Sequence, residues 1–467
     1  MNHQLRADQP TTYIATTTGS GCQRPRPEAQ TLRDCSDGPV DSRRPSPSHS
    51  SGKRSKRSVT TSILVSALAT VSLGLLPTQV HARNWTLQQE ISGNQFFDEF
   101  FWWPYGDPTQ GTVSYQSESN AIKQNLSYVD EKTGRFVIRP DSNSFVDPSS
   151  EGRASVRMHS KKSMRDGLLV AKISKMPVGC GTWPAFWTVT TDQWPNGGEI
   201  DILEGVNAVS TSSKPNLASL HTTDGCTIGP GKSQNSTGFS YQENCSYQPG
   251  CSQQFSDDNT YGTDFNENGG GYFAMLRDTA PGGNGISVYF WPDDAKSVPI
   301  AVSAAPGSAP RRVITSPEDL APGGNNNTLN KLPDKTYQWG LPAAFFANTA
   351  PGTTAKGASC QMDQFFDADH TIIINLTFCG QWAGAVWSSD PVCSRLAPTC
   401  DEYVRNNPHA FDNASFEFDY IRLYGSQNSQ GAGSVILGKG LGSGRPGWMA
   451  IIGVSLATCF TAGLLLF

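Results

Sequence analysis

The chain has 467 residues, 46 of them glycine and 31 proline, with 10% aromatic and only 16% charged residues. So few charges exclude a coiled coil or helical bundle, and so many aromatics exclude wholesale disorder, which leaves a turn-rich, mostly β protein. The net charge of −5 is an average: residues 1–58 hold ten Lys and Arg against five Asp and Glu, and the acidic excess lies beyond them. An acidic body repels phosphates, so nucleic acid is not an expected partner, while a neutral substrate meets no electrostatic penalty.

In chain order, residues 1–58 are rich in Pro, Ser and Arg without apolar periodicity, and read as a disordered basic leader. The cluster Lys53-Arg54-Ser55-Lys56-Arg57 then precedes an apolar run over 63–76, and Val80-His81-Ala82 has the form of a small-residue cleavage site. Residues 59–82 therefore read as a secretory signal, with a signal anchor as the alternative. From 83 to 426 the chain shows no repeat and no dividing linker. Short β-prone runs recur at 135–139, 167–173, 271–276, 286–291, 371–375 and 415–424, separated by Gly, Pro, Asn and Asp clusters. Helical periodicity is confined to a short piece at 401–406. The expectation is one all-β sandwich domain.

Beyond it, residues 427–447 form a Gly-rich spacer, with Gly431, Ala432, Gly433 and Ser434 as candidate attachment residues, and 448–467 form an uncharged apolar tail. Small site, spacer and terminal tail make the pattern of a glycosylphosphatidylinositol anchor; a membrane-spanning helix is the rival reading. These ends place the protein at the cell surface, on the outer face of the plasma membrane or in the wall, or else secreted or held by a single span. Eight cysteines lie in the body: Cys180, Cys226, Cys245, Cys251, Cys360, Cys379, Cys393 and Cys400. In an exported chain they predict four disulfides of open connectivity, and the lack of a Cys-x-x-Cys pair argues against zinc. Glycosylation sequons stand at Asn84, Asn125, Asn235, Asn326, Asn375 and Asn413, and a further one at Asn244 encloses Cys245.

The most informative stretch is Glu199-Ile200-Asp201-Ile202-Leu203-Glu204, which follows the turn Trp194-Pro-Asn-Gly-Gly198. In a regular strand Glu199 and Asp201 share a face, but Glu204 points into the opposite layer, where an unpaired carboxylate is costly. A one-residue bulge at Ile202-Leu203 returns all three acids to one side. The two glutamate Cα atoms then stand about 13 Å apart, and inward-leaning carboxyls suit the roughly 5–5.5 Å separation of retaining glycoside hydrolysis. One glutamate has to be ionised and the other protonated, and neighbouring acids help to separate their pKa values. A calcium site or a solvated acidic strand is the competing reading, against which the apolar alternation speaks.

This hexapeptide resembles the active-site signature Glu-x-Asp-x-x-Glu of glycoside hydrolase family 16, in its laminarinase-like branch. Cys180-Gly-Thr-Trp-Pro-Ala-Phe-Trp187, His221-Thr-Thr, Gly269-Gly-Gly-Tyr-Phe-Ala-Met275, Val288-Tyr-Phe-Trp-Pro292 and the stretch from Asn375 to Gly384 resemble the fungal members in the same order. The resemblance implies a β-jelly-roll of two curved antiparallel sheets with a substrate cleft on the concave face. It implies Glu199 as nucleophile, Glu204 as general acid/base and Asp201 as supporting acid, with β-1,3 and mixed β-1,3/1,4 glucans as substrates. Trp183, Trp187, Trp291 and His221 are expected to meet the sugar, while Trp102, Trp103, Trp382 and Trp387 are left to the core. The leading expectation is a monomeric retaining endo-β-glucanase that works on a neutral β-glucan and is held to the membrane by a C-terminal lipid anchor. A wall-glucan transglycosylase and a non-catalytic glucan-binding protein are the alternatives. No cofactor is implied, and calcium only as a structural addition.

Overall fold

The computed structural model describes residues 83–190, 194–209, 215–231, 235–315, 339–349 and 357–426. Residues 1–82, expected to be leader and signal, residues 427–467, expected to hold the spacer with Gly431 to Ser434 and the apolar tail, and Asn326 lie outside the described residues. Within them the chain forms a β-jelly-roll of two main antiparallel sheets. The front sheet has eight strands, in spatial order Phe239–Gln242, Cys251–Gln254, Leu217–His221, Glu199–Glu204, Thr182–Val189, His370–Phe378, Arg157–Met164 and Phe100–Trp102. The nine-stranded back sheet has the main path Arg312–Thr315, Arg83–Ile91, Phe416–Gly425, Gly167–Lys175, Gly271–Asp278, Gly285–Pro292 and Ala344–Ala347. Phe136–Ile138 pairs with Phe416–Gly425, and Ser127–Val129 pairs with Phe136–Ile138.

Each β-prone run of the sequence lies in one of these strands, because alternation is retained wherever one face of a strand meets the core. Between the sheets Phe186, Ile200, Ile202, Leu220, Ile372 and Ile374 of the front sheet meet Leu169, Ala171, Ile173, Phe273, Met275, Val288, Phe418 and Ile421 of the back sheet in one buried cluster. A large aliphatic or aromatic side chain fully buried there contributes roughly 1.5–3 kcal/mol. His370–Phe378 is buried along its whole length, its polar residues His370, Thr371, Asn375 and Thr377 included.

A second apolar layer covers the opposite face of the back sheet. Leu168, Val170, Ala274, Leu276, Tyr289 and Tyr424 pack there under Trp339 and the short helix Ile300–Ser303. Trp291 belongs to this layer, its ring stacked on Tyr289 at 5.5 Å and edge-on to Trp339. It is therefore on the far side of the sandwich from the carboxylates and does not meet a substrate in their cleft. Alternation explains the outcome: Val288 points between the sheets, so Tyr289 and Trp291 point outward.

The eight body cysteines form four disulfides, Cys180–Cys393, Cys226–Cys360, Cys245–Cys251 and Cys379–Cys400. Two of them tie the 379–400 segment to the start of Thr182–Val189 and the end of His370–Phe378. This fixes the loop that carries Trp382 beside Trp183.

Candidate functional site

The turn before the carboxylate strand uses Gly197 and Gly198 at positive φ, and a Cβ on Gly198 would sit 2.3 Å from the Phe366 ring. Against the neighbouring strand Thr182–Val189, Asp201 pairs with Trp187 and Leu203 with Phe186, so Ile202 is the extra residue of a bulge. Ile200, Ile202 and Leu203 all enter the core between the sheets. Glu199, Asp201 and Glu204 consequently share the outer face of the front sheet, as the bulge argument requires. Ladder partners share a face, so one row across this surface reads Ser219, Asp201, Trp187, Ile373, His159 and Phe101. A second row reads Glu204, Ala185, Asn375 and Arg157.

His221 joins the acids from the adjacent strand. Its Nδ1 lies 2.7 Å from the Tyr247 carbonyl, which can only accept, so Nδ1 donates. Its Nε2 faces Asp201 Oδ2 at 3.2 Å and Glu199 Oε1 at 3.8 Å. Burial disfavours charge on the imidazole, but the Asp201 carboxylate, then Glu199, overcome this and raise its pKa to about 10. One donor atom from each of Glu199, Asp201 and His221 lies within 4.8 Å of the others, a spacing a bound cation would also need. Here the imidazolium is itself the cation.

The two glutamates are held differently. Glu199 Oε2 accepts from Trp194 Nε1 at 2.9 Å. Burial, then the Asp201 charge, raises its pKa to about 7, with His221 and the Trp194 N–H pulling the other way. Glu204 Oε1 accepts from Trp183 Nε1 at 2.8 Å. Burial and then Asp201 push its pKa well above the ordinary carboxylate range. Glu199 thus gives up its proton first as pH rises, leaving one carboxylate and one carboxylic acid on the same strand. Because Trp183 occupies Oε1, the free oxygen available to carry the acid proton is Oε2.

Aromatic and polar groups extend from the acids along the sheet. Trp187 is half-buried, donates from Nε1 to Asn375 Oδ1 at 2.7 Å, and lies under the Arg157 guanidinium at 5.2 Å. The same guanidinium lies 5.7 Å from the Trp103 ring, which stacks on His159 at 4.7 Å. On the other side of the acids a cavity of ≈ 360 Å³ opens at Glu204, with Leu217, Tyr241, Gln254, Tyr261 and Trp382 among its walls.

Several expected placements change. Trp102 and Trp387 are core residues, but Trp103 is half-buried in the aromatic stack beside Arg157, and Trp382 lines the cavity, edge-on to Trp183 at 5.7 Å. Asn375 is a correction: its side chain is buried, and its Nδ2, the atom a glycan would join, is turned to the Tyr115 hydroxyl at 3.4 Å while its Oδ1 accepts from Trp187. Asn84, Asn125, Asn235 and Asn413 are exposed. Arg157 was not singled out from sequence, because its segment Arg-Met-His-Ser-Lys-Lys-Ser-Met alternates too weakly to read as a strand.

A jelly-roll whose concave sheet offers paired glutamates of unequal basicity, flanked by aromatic walls, defines the glycosidase class of site. A family model described as "XgeA-like, catalytic GH16 domain" matches residues 100–424, and the chain belongs to glycoside hydrolase family 16. An endo-1,3(4)-beta-glucanase of Arthroderma benhamiae is 34% identical over 356 residues, covering 74% of this chain and 66% of that protein. The chain thus spans just under two thirds of this relative's length. Among solved structures, laminarinase 16A of Phanerochaete chrysosporium, described with beta-glucans in both donor and acceptor sites, is 34% identical with a TM-score of 0.59. An elongating family 16 beta-1,3-glucosyltransferase is 30% identical with a TM-score of 0.57. Each match covers 73% of this chain and 100% of the solved one.

Proposed function

We propose that the protein is a retaining endo-β-glucanase that cleaves β-1,3 and mixed β-1,3/1,4 glucans by double displacement. The observation that carries this reading is the bulged strand, which presents Glu199 and Glu204 on one face with unequal proton affinities. Glu199 attacks the anomeric carbon while Glu204 passes its proton to the departing glycosidic oxygen. The resulting Glu204 carboxylate then takes a proton from water, which attacks the glycosyl-enzyme and releases Glu199. Asp201 and His221 hold the charge balance beside the nucleophile, and Trp183 orients the acid. Trp382 offers a flat face for pyranose C–H edges on one side of the acids, Trp187 and Trp103 with the Arg157 guanidinium between them form the other flank, and the substrate runs across the strands. One chain supplies both carboxylates and both flanks of the cleft, which fits a monomer.

The test is product analysis on laminarin, lichenan and cellulose. Wild-type protein releases oligosaccharides from the first two, and Glu199→Ser abolishes the release. Unchanged turnover by Glu199→Ser contradicts the assignment, and binding without new reducing ends would favour a glucan-binding protein. A second reading has support in the cavity beside Glu204, which has room for a sugar acceptor. There a glucan hydroxyl replaces water and the enzyme becomes a transglycosylase, and products longer than the donor would establish it. We further propose export and surface retention through a C-terminal lipid anchor; the four disulfides support an oxidising compartment. Release from intact cells by a phosphatidylinositol-specific phospholipase C tests the anchor, and retention after treatment counts against it.

A further inference from the structure

The bulge that aims Glu204 creates a local deficit of hydrogen bonds. Toward Leu217–His221 the ladder pairs Glu199 with His221, Ile200 with Leu220 and Asp201 with Ser219, and there it stops. The neighbouring strand runs on through Ala218 and Leu217, which pair with Cys251–Gln254 on their far side, but it forms no further ladder pair with Ile202 or Glu204. The Ile202 carbonyl and the Glu204 N–H on this side therefore have no ladder partner. A buried peptide group without a partner costs roughly 1–3 kcal/mol, so something has to satisfy both.

The side chain of Asn216 does so. It is fully buried, donates from Nδ2 to the Ile202 carbonyl at 2.8 Å, and accepts from the Glu204 N–H at Oδ1 at 3.1 Å. Its orientation needs no assumption, because a carbonyl only accepts and an N–H only donates. The backbone of Asn216 is itself fixed. Its N–H donates to Thr260 Oγ1 at 2.9 Å, and its carbonyl accepts from the Phe255 N–H at 2.9 Å. Thr260 Oγ1 in turn donates to the Asp257 carbonyl at 2.6 Å. The primary amide therefore stands where the next peptide group of a regular ladder would be.

We propose that Asn216 is a positioning residue for Glu204: its side-chain amide replaces the ladder pair missing at the bulge and fixes the direction in which the Glu204 carboxyl points. No other side chain serves here, since Gln would push the amide past both groups and Asp or Leu would leave the Ile202 carbonyl unpaired. The role extends the reading of Glu204 as acid/base and depends on it.

A double-variant cycle tests the inference. Asn216→Ala lowers kcat by about 10- to 100-fold on a laminarin oligosaccharide and leaves KM within about threefold, because the cleft walls are untouched. Deleting Ile202 makes the strand regular, with its acids still on one face. In that chain Asn216→Ala costs less than about threefold, since no bulge remains to clamp. A second readout needs no activity. Hydrogen exchange of the Glu204 amide in Asn216→Ala speeds up at least about tenfold, while that of Ile200, held in the intact ladder, keeps its rate. If Asn216→Ala fails to fold alone, the double variant folds and retains the kcat of the Ile202-deleted chain. Equal losses in both backgrounds, or an unchanged Glu204 amide, overturn the proposal. A wild-type protein that cleaves no glucan would instead remove the catalytic reading, and the exchange experiment would still decide whether Asn216 clamps the bulge.

Discussion

Asp201→Asn keeps the shape of a buried side chain and removes one negative charge from the centre of the site. Asp201 is 3% exposed, and its Oδ2 lies 3.2 Å from His221 Nε2. The interacting atoms of Asp201 and Glu199 are within 4.8 Å of each other. Two like charges at that distance repel by about 3.5 kcal/mol at an effective dielectric of 20, which corresponds to about 2.5 pKa units. Part of this is offset, because His221 loses the partner that most favours its charge and screens Glu199 less strongly at high pH. The net expectation is a fall of about one to two units in the Glu199 pKa, and a fall in that of Glu204, which Asp201 also raises. The assay is the pH dependence of kcat/KM on a short β-1,3-glucan, whose acid limb reports ionisation of Glu199 and whose alkaline limb reports loss of the Glu204 proton. Both limbs move to lower pH in Asp201→Asn. Limbs that stay in place or move up, in a protein with wild-type thermal stability, refute the electrostatic account of the site.

Trp291→Ala lowers thermal stability but leaves kcat and KM near wild-type, whereas Trp382→Ala raises KM several-fold; steady-state kinetics on one oligosaccharide compares the two, and a kinetic defect in Trp291→Ala would contradict the placement on the far face. Peptide mapping of protein secreted by a eukaryotic host finds Asn375 unmodified, and a glycan there would be incompatible with its burial. His159 and His370 are buried neutral, each with its pKa lowered to about 3 by burial and then by Arg157 and Arg277 respectively. A folded pKa below the unfolded value of about 6.5 contributes stability that is fully present above 6.5 and lost as pH falls toward 3. Melting temperature therefore declines on acidification through that window, and His159→Leu flattens the decline; a profile identical to wild-type would count against it.

The sandwich and the carboxylate strand were legible because each rests on local alternation. Phe416–Gly425 carries its pattern through ten residues, and the position of Glu204 forced a bulge before any partner strand was known. Information that depends on which sheet a strand joins was not legible. Trp291 has the same local pattern whether its strand lies in front or behind, and only the pairing of Gly285–Pro292 with Gly271–Asp278 decides. Asn375 matches a glycosylation sequon and is also a buried acceptor for Trp187, and a tripeptide cannot distinguish the two. Arg157 and Asn216 were silent for a related reason: each acts through one tertiary contact, a guanidinium between two rings or an amide at a bulge, without periodicity.

The central claim, that Glu199 forms a covalent glycosyl-enzyme, is tested most directly by trapping. Wild-type protein incubated with an activated 2-deoxy-2-fluoro β-1,3-glucoside should gain one glycosyl unit in intact mass, mapped by peptide sequencing to Glu199, with turnover lost in parallel. An active enzyme that accumulates no adduct, or carries it on a residue other than Glu199, contradicts the account.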